Sequence, residues 1–243
     1  MGDRTVLRAS GADVRKFLQD LVTNDLNGLE NGLVYAALLT PQGKYLVDFF
    51  LVPDAAGILI DVAADHAPGL VQRLTMYKLR ADVVIEAAEI EVVRGVADAP
   101  ATAFADPRHE ALGWRDYSGQ AVAQDVDWDA LRVAYCVPET GVELFPNQSY
   151  ILECGFDRLN GVDFKKGCYV GQEVTARMKH KTELRKGLAS VSLGGEVPVG
   201  SEIVAAGKSV GHVFTQSGGR GIAYLRFDRA GEEMEAAGVT VTL

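Results

Sequence analysis

The sequence predicts an α+β fold that ends in a small antiparallel β-barrel. Three observations carry this. A helical repeat over residues 14–22 leads into two apolar runs joined by a turn. A second helical stretch then lies among further strand-like runs between residues 58 and 96. After Lys186 the composition shifts to short strands separated by glycine-containing turns, the pattern of a small barrel.

Taken in order, Ser10-Gly11-Ala12-Asp13 reads as a variant capping box. Val14, Phe17, Leu18, Leu21 and Val22 then fall on one face of an amphipathic helix. Asn24 to Gly32 is a polar connection. Leu33–Leu39 and Tyr45–Val52 form strands around the turn Thr40-Pro41-Gln42-Gly43, which predicts a hairpin. Both strands are heavily apolar, so the sheet is expected to be covered on both faces. Asp48 is a lone carboxylate inside that apolar strand. It reads either as an outward or edge position or as a positioned acid with a perturbed pKa.

Ile58–Val62 is a strand, and Asp65–Arg80 is a helix with Pro68 in its first turn. Residues 81–96 hold two further strands, residues 97–110 a loop with Pro100 and Pro107, and residues 111–117 a short strand. Asp125 or Asp127 caps a helix carrying Trp128, Leu131 and Tyr135, which stops before Pro138. Residues 138–164 carry few regular signals, and long ordered loops of this kind are more often functional than structureless. The barrel strands are expected at Leu188–Leu193, Glu202–Ala205, Ser209–Gln216, Gly221–Leu225 and Val239–Leu243, with a boundary near Glu183 to Gly187.

The 243 residues are 48% hydrophobic and 23% charged, ordinary values for a globular chain with a sizeable core. A net charge of −9 argues against general nucleic-acid binding. No apolar run is long enough to span a membrane. The opening Met1-Gly2-Asp3-Arg4-Thr5-Val6 has no signal-peptide core, which predicts a cytoplasmic protein. Cys136, Cys154 and Cys168 are odd in number and widely spaced, unlike a disulfide framework or a metal knot, and the four histidines form no ligand pair at helical spacing.

One stretch concentrates reactive chemistry: Lys165-Lys166-Gly167-Cys168-Tyr169-Val170-Gly171-Gln172-Glu173-Val174-Thr175-Ala176-Arg177. Glycines allow a tight turn, and a turn feeding a helix N-terminus beside two lysines would favour the Cys168 thiolate. A cysteine between glycines is equally compatible with an inert packing residue. From Lys165 to Lys186 there are seven Lys/Arg and only Glu173 and Glu183 as acids, a basic island in an acidic chain that suggests an anionic ligand.

Lys166, Gly167, Cys168, Tyr169, Gly171, Gln172, Glu173 and Arg177 fit the signature of the YgfZ family, Lys-Gly-Cys-Tyr-x-Gly-Gln-Glu followed by an arginine. The chain resembles that family over nearly its whole length. Phe17-Leu18, Thr23-Asn24-Asp25 and Thr40 to Lys44 match its N-terminal half; Leu131-Arg132, Gly141-Val142-Glu143 and Glu153 match its middle. The family is homologous to the aminomethyltransferase (T-protein) of the glycine cleavage system. The resemblance implies three subdomains around a central folate-binding opening. Residues 1–45 with 131–183 would form the first, residues 46–130 an inserted α+β subdomain, and residues 184–243 the barrel. It implies a monomer that supports iron–sulfur cluster assembly or repair in client enzymes, tRNA-modifying ones among them, with tetrahydrofolate as cofactor and Cys168 as working thiol. It also implies folate contacts from Tyr35 and Glu153, with Lys166, Tyr169, Gln172, Glu173 and Arg177 adding to the ligand site.

Asp48 falls at the catalytic carboxylate of T-proteins, which keeps open a second function, tetrahydrofolate-dependent aminomethyl or one-carbon transfer. Against transfer, the first acid of the T-protein pair is Val47 here, and the N-terminal Phe-Asp-x-Ser-His-Met segment is missing. A third expectation is an interaction module whose old folate cavity is no longer used.

Overall fold

The first strand is the element least visible in the sequence. The computed structural model describes residues 3–180, 184–231 and 233–243, and in it β1 (Arg4–Ser10) runs through the middle of a sheet. Two arginines break its apolar alternation, but each has an acidic neighbour: Arg4 Nε donates to Asp61 at 2.6 Å and Arg8 Nε to Asp54 at 3.0 Å. Paired in this way, charged side chains are tolerated inside a sheet.

The chain continues through α1 (Val14–Gln19), a 3-10 turn at Leu26–Glu30, β2 (Val34–Leu39), β3 (Tyr45–Asp54), β4 (Gly57–Ala63), α2 (Ala67–Lys78) and β5 (Val84–Ala88). The sheet order is β2-β3-β4-β1-β5, and every pairing is antiparallel. As expected, both faces are covered. Phe17, Leu18, Phe49, Ile60, Leu70 and Leu74 fill one side, and Tyr35, Tyr45, Phe50, Ile151, Phe156 and Leu159 fill the other. β3 continues unbroken across the boundary expected between residues 45 and 46.

The expected capping box does not form. Ser10 belongs to β1, and Asp13 makes no side-chain cap; its Oδ2 instead accepts from the Asp82 backbone N–H at 2.8 Å. A tertiary partner outcompetes the local one. α1 is also shorter than the apolar repeat suggests, with Leu21 and Val22 buried just beyond its end.

A three-stranded sheet follows, β6 (Val93–Gly95), β7 (Phe104–Ala105) and β8 (Trp114–Asp116), in the order β6-β8-β7. Asp127 is the residue that caps α3 (Trp128–Tyr135), accepting from Ala130 N–H at 2.9 Å. Residues 138–164 hold no long element, yet Leu144, Ile151, Leu152, Phe156 and Leu159 from this segment are buried. The segment is a lid of irregular chain over the second face of the sheet.

α4 (Gln172–His180) leads towards the barrel. Lys181 and Glu183 of the basic island lie outside the described residues. The barrel comprises β9 (Lys186–Leu193), β10 (Glu202–Ala205), β11 (Lys208–Ser217), β12 (Arg220–Arg226), β13 (Met234–Ala236) and β14 (Val239–Thr242). It closes in the order β10-β11-β12-β9-β14-β13, with β13 pairing back to β10. Closure removes exposed sheet edges, so short strands suffice. Two buried carboxylates from the irregular segment join the barrel to the body. Glu143 Oε1 accepts from Thr215 N–H at 3.3 Å and Oγ1 at 2.5 Å, while its Oε2 pairs with Arg132. Glu153 Oε2 accepts from Tyr224 Oη at 2.6 Å, and the Glu153 carbonyl accepts from Leu188 N–H at 2.7 Å.

Candidate functional site

The loop between Asp163 and Gly171 is anchored at three points. Asp163 Oδ1 accepts from the N–H groups of Lys165 (2.6 Å) and Lys166 (3.2 Å), which fixes the first turn. Lys166 does not face a ligand. Its ammonium is buried and donates to the carbonyls of Gln19 and Val22, both at 2.6 Å, capping the end of α1; burial pulls its pKa down to about 8. Tyr169 is buried beside it, 5.1 Å from Lys166 Nζ to the ring centroid. Gly171 closes the loop at φ +83°, where a Cβ would stand 2.6 Å from the Thr40 carbonyl. That glycine lets the loop and the Thr40–Gly43 turn press together.

Cys168 sits at the exposed crest of this loop, while Cys136 and Cys154 are buried. Burial pushes the Cys154 thiol up to about 12 and also raises that of Cys136. The packing alternative therefore describes Cys136 and Cys154, and Cys168 alone is presented to solvent. Gln172 Nε2 reaches back to the Gly167 carbonyl at 3.5 Å, and Glu173 pairs with Arg177 at 3.0 Å on the surface of α4. Those motif side chains brace the loop and helix rather than converge on a cavity.

Asp48 occupies a different place. A register shift at Leu38/Leu39 puts Tyr45 on the same side of the hairpin as Asp48. Its carboxylate accepts from Tyr35 Oη at 3.0 Å, Tyr45 Oη at 2.6 Å and Thr140 Oγ1 at 2.5 Å. Asp48 is therefore buried and hydrogen-bonded rather than at an edge or facing outward. Burial, then the Asp48 charge, raises the pKa of both tyrosines, so they remain hydroxyl donors to it. The carboxylate lines a cavity of about 250 Å³ with Arg4, Phe50, His66, Arg108 and Thr140; no residue of the 163–177 stretch lines it.

The contacts expected for folate do not make one cradle. Tyr35 is fully buried, stacked on Phe156 at 5.1 Å and tilted on Phe50 at 5.2 Å, so neither ring face is open to a pterin. Glu153 is turned to Tyr224 and lies 3.7 Å from Lys186 at the barrel junction, away from the Asp48 cavity. Lys166 is committed to α1. The Asp48 cavity is also below the roughly 300–1,000 Å³ that encloses a drug-sized ligand. The residues present do not fit tetrahydrofolate in the expected manner.

Sequence reasoning missed Arg4, Tyr45, His66, Arg108 and Thr140 around Asp48. Tyr45 carried a faint signal, three residues before the acid in the middle of an apolar strand. Arg108 and Thr140 lie in irregular segments, where side-chain direction has no period to read.

Comparison with known proteins adds the lineage. A family model described as "CAF17, C-terminal beta-barrel domain" matches residues 185–243. The mitochondrial iron–sulfur cluster assembly factor IBA57 of Mus musculus is 30% identical over 92% of this chain and 75% of its own length. IBA57 homologues named as mitochondrial from Mycosarcoma maydis and Pyricularia oryzae are 32% and 35% identical over 78% and 75% of this chain. The chain spans about half the length of these two fungal relatives, 55% and 54%. The glycine cleavage system aminomethyltransferase T from Bartonella henselae superposes over 99% of this chain and 82% of its own, with a TM-score of 0.76 at 13% identity, which establishes the T-protein-like fold. The relatives are of the IBA57 kind rather than YgfZ itself. They also overturn the cytoplasmic expectation, since they are named as mitochondrial. The lack of an apolar N-terminal core bears on secretion alone; organelle transit segments are amphipathic.

Proposed function

The chain belongs to the family of IBA57 iron–sulfur cluster assembly factors, and from that premise we propose that it supports the assembly or repair of iron–sulfur clusters in client enzymes, with Cys168 as its working thiol. The observation that carries this is the exposure of Cys168 on a loop anchored by Asp163, Lys166 and Gly171. A cluster in transit is cargo. The Cys168 thiol would lose its proton to water and the thiolate would form an S–Fe bond as a carrier's ligand leaves, no electron changing hands; a client's ligand would then take that place and free Cys168. Enzymes with [4Fe–4S] clusters, including those that thiolate tRNA, are the proposed clients.

The test is complementation of a bacterium lacking its own gene of this family, with tRNA thiolation as readout, comparing the unaltered chain with Cys168→Ala. Rescue by the unaltered chain alone is expected. Full rescue by Cys168→Ala at equal protein level would overturn the thiol role while leaving the cluster role in place.

A second reading, one-carbon transfer, is favoured by one observation: Asp48 is held by three hydroxyl groups at the floor of a cavity. A carboxylate so placed can orient a substrate amine and accept its hydrogen bonds. Tetrahydrofolate binding belongs to this reading, and supporting it is the T-protein-like fold rather than Tyr35, Glu153 or Lys166. Turnover of an aminomethyl donor with tetrahydrofolate, lost in Asp48→Ala, would support transfer; turnover unchanged in that variant would remove Asp48 from it.

A further inference from the structure

Three arginines and two aspartates form one buried line of ion pairs beside the Asp48 cavity. Arg4 Nε meets Asp61 Oδ1 at 2.6 Å, and Arg115 Nη1 meets Asp61 Oδ2 at 2.8 Å. Arg115 Nε then meets Asp106 Oδ2 at 3.2 Å, and Arg108 grips Asp106 through Nε at 3.0 Å and Nη2 at 2.8 Å. The line begins and ends in arginine, so it carries one uncompensated positive charge. Both end residues, Arg4 and Arg108, line the cavity, and among the described residues neither Nη1 donates a hydrogen bond. Arg115 Nη2 in the middle is a buried donor with no partner among the described residues.

Asp48 is the sixth charge, and it balances the set. It lines the same cavity yet makes no ion pair within 4.0 Å among the described residues. The arrangement brings guanidinium N–H groups and an unpaired carboxylate to the lining of one cavity of about 250 Å³. Phe50 gives one apolar wall, and Asp65 and Gly141 are exposed at the rim.

Charge decides what can fill it. The three arginines of the line balance Asp61, Asp106 and Asp48, and Glu139, which also lines the cavity, is paired with Arg132 at 3.1 Å. A bare carboxylate would make the site −1 and a bare ammonium +1, and an uncompensated charge in a buried setting costs several kcal/mol. Rim carboxylates Asp3 and Asp65 disfavour a bare anion further. A ligand bearing both charges keeps the site neutral and satisfies both kinds of group. A cavity smaller than those for drug-sized molecules limits it to a few heavy atoms.

We propose that this cavity binds a small zwitterion, a free α-amino acid, with its carboxylate on Arg4 and Arg108 and its ammonium on Asp48. Binding alone is claimed, so the proposal stands whether or not Asp48 takes part in group transfer. The test is calorimetry on the full chain with three matched probes: L-alanine, propionate and ethylamine. L-Alanine should bind at least about tenfold more tightly than either half-molecule, since each supplies one charge-assisted contact where L-alanine supplies both. This comparison needs no variant. In Asp48→Asn, checked for native circular dichroism, the advantage of L-alanine over propionate should vanish. Propionate binding as tightly as L-alanine would reduce the cavity to an anion site and overturn the proposal. So would the absence of saturable binding by glycine, L-alanine and L-serine up to about 10 mM.

Discussion

Replacing Lys166 with methionine removes an amine while keeping most of the stem's volume, so its effect isolates the two hydrogen bonds to Gln19 and Val22. Each is 2.6 Å long, and the Val22 carbonyl belongs to a buried residue. Two such bonds contribute about 1–3 kcal/mol each when the donor is charged, but burying the cation offsets part of that. The size of the offset is visible in the pKa, which burial lowers from 10.5 to about 8. At about 1.4 kcal/mol per pH unit, this corresponds to at most about 3.5 kcal/mol. The sign follows from proton counts. Between pH 8 and 10.5 the unfolded chain holds a proton on Lys166 that the folded chain has shed, so stability rises with pH across that window. Neutral lysine still has two N–H groups, enough for both carbonyls. Lys166→Met should therefore cost about 1–3 kcal/mol near neutral pH, and the cost should grow by about 1–2 kcal/mol towards pH 9.5. Urea unfolding of both chains at the two pH values measures this, and every other titrating group cancels in the difference. A cost that stays flat or shrinks with pH would refute the account of Lys166 as a buried, desolvated cap.

Other outcomes follow from the same geometry. Cys168→Ala should change stability by less than about 0.5 kcal/mol, as expected of an exposed residue, while removing the one thiol that reacts promptly with Ellman's reagent in the native protein; Cys136 and Cys154 should react only on unfolding. Gly171→Ala should destabilise by about 2 kcal/mol or more, because its φ of +83° and the 2.6 Å approach to Thr40 both oppose a Cβ, and denaturant midpoints will read it. Asp106 is held at about 2: burial opposes its charge, but the charges of Arg108 and Arg115 and the hydrogen bonds from Arg108 together outweigh it. Its folded pKa lies below the ordinary 3.8, so the stability it lends is present above about pH 4 and lost as pH falls towards 2. Asp106→Asn should thus flatten acid unfolding in that window, at a cost of about 3–5 kcal/mol at neutral pH for Arg108 left unpaired, while Arg115 keeps Asp61.

What the sequence could disclose follows from where periodicity operates. The β2–β3 hairpin, α2 and five of the six barrel strands were legible because apolar spacing and turn residues agree there. β1 was not, since Arg4 and Arg8 look like surface residues until Asp61 and Asp54 are seen beside them. β13 has three residues, too few to show alternation. The signature stretch was legible as a motif, but the roles inside it were not. Lys166 reads as a ligand contact in one dimension and proves to be a cap for α1. Asp48 was legible as an anomaly, whereas the arginines facing its cavity come from β1 and an irregular loop and share no local pattern.

The two buried glutamates at the barrel junction bear on how such chains can recombine. Residues 185–243 match a family model of their own and close into a complete barrel, which suggests an interchangeable cassette. The joints say otherwise. Without the barrel, Glu143 Oε1 would lose Thr215, Glu153 Oε2 would lose Tyr224, and the Glu153 carbonyl would lose Leu188 N–H. A transplanted barrel can replace this one only if it brings hydroxyl groups to the positions of Thr215 and Tyr224. The module's border is written in the body's carboxylates, so body and barrel are constrained to change together.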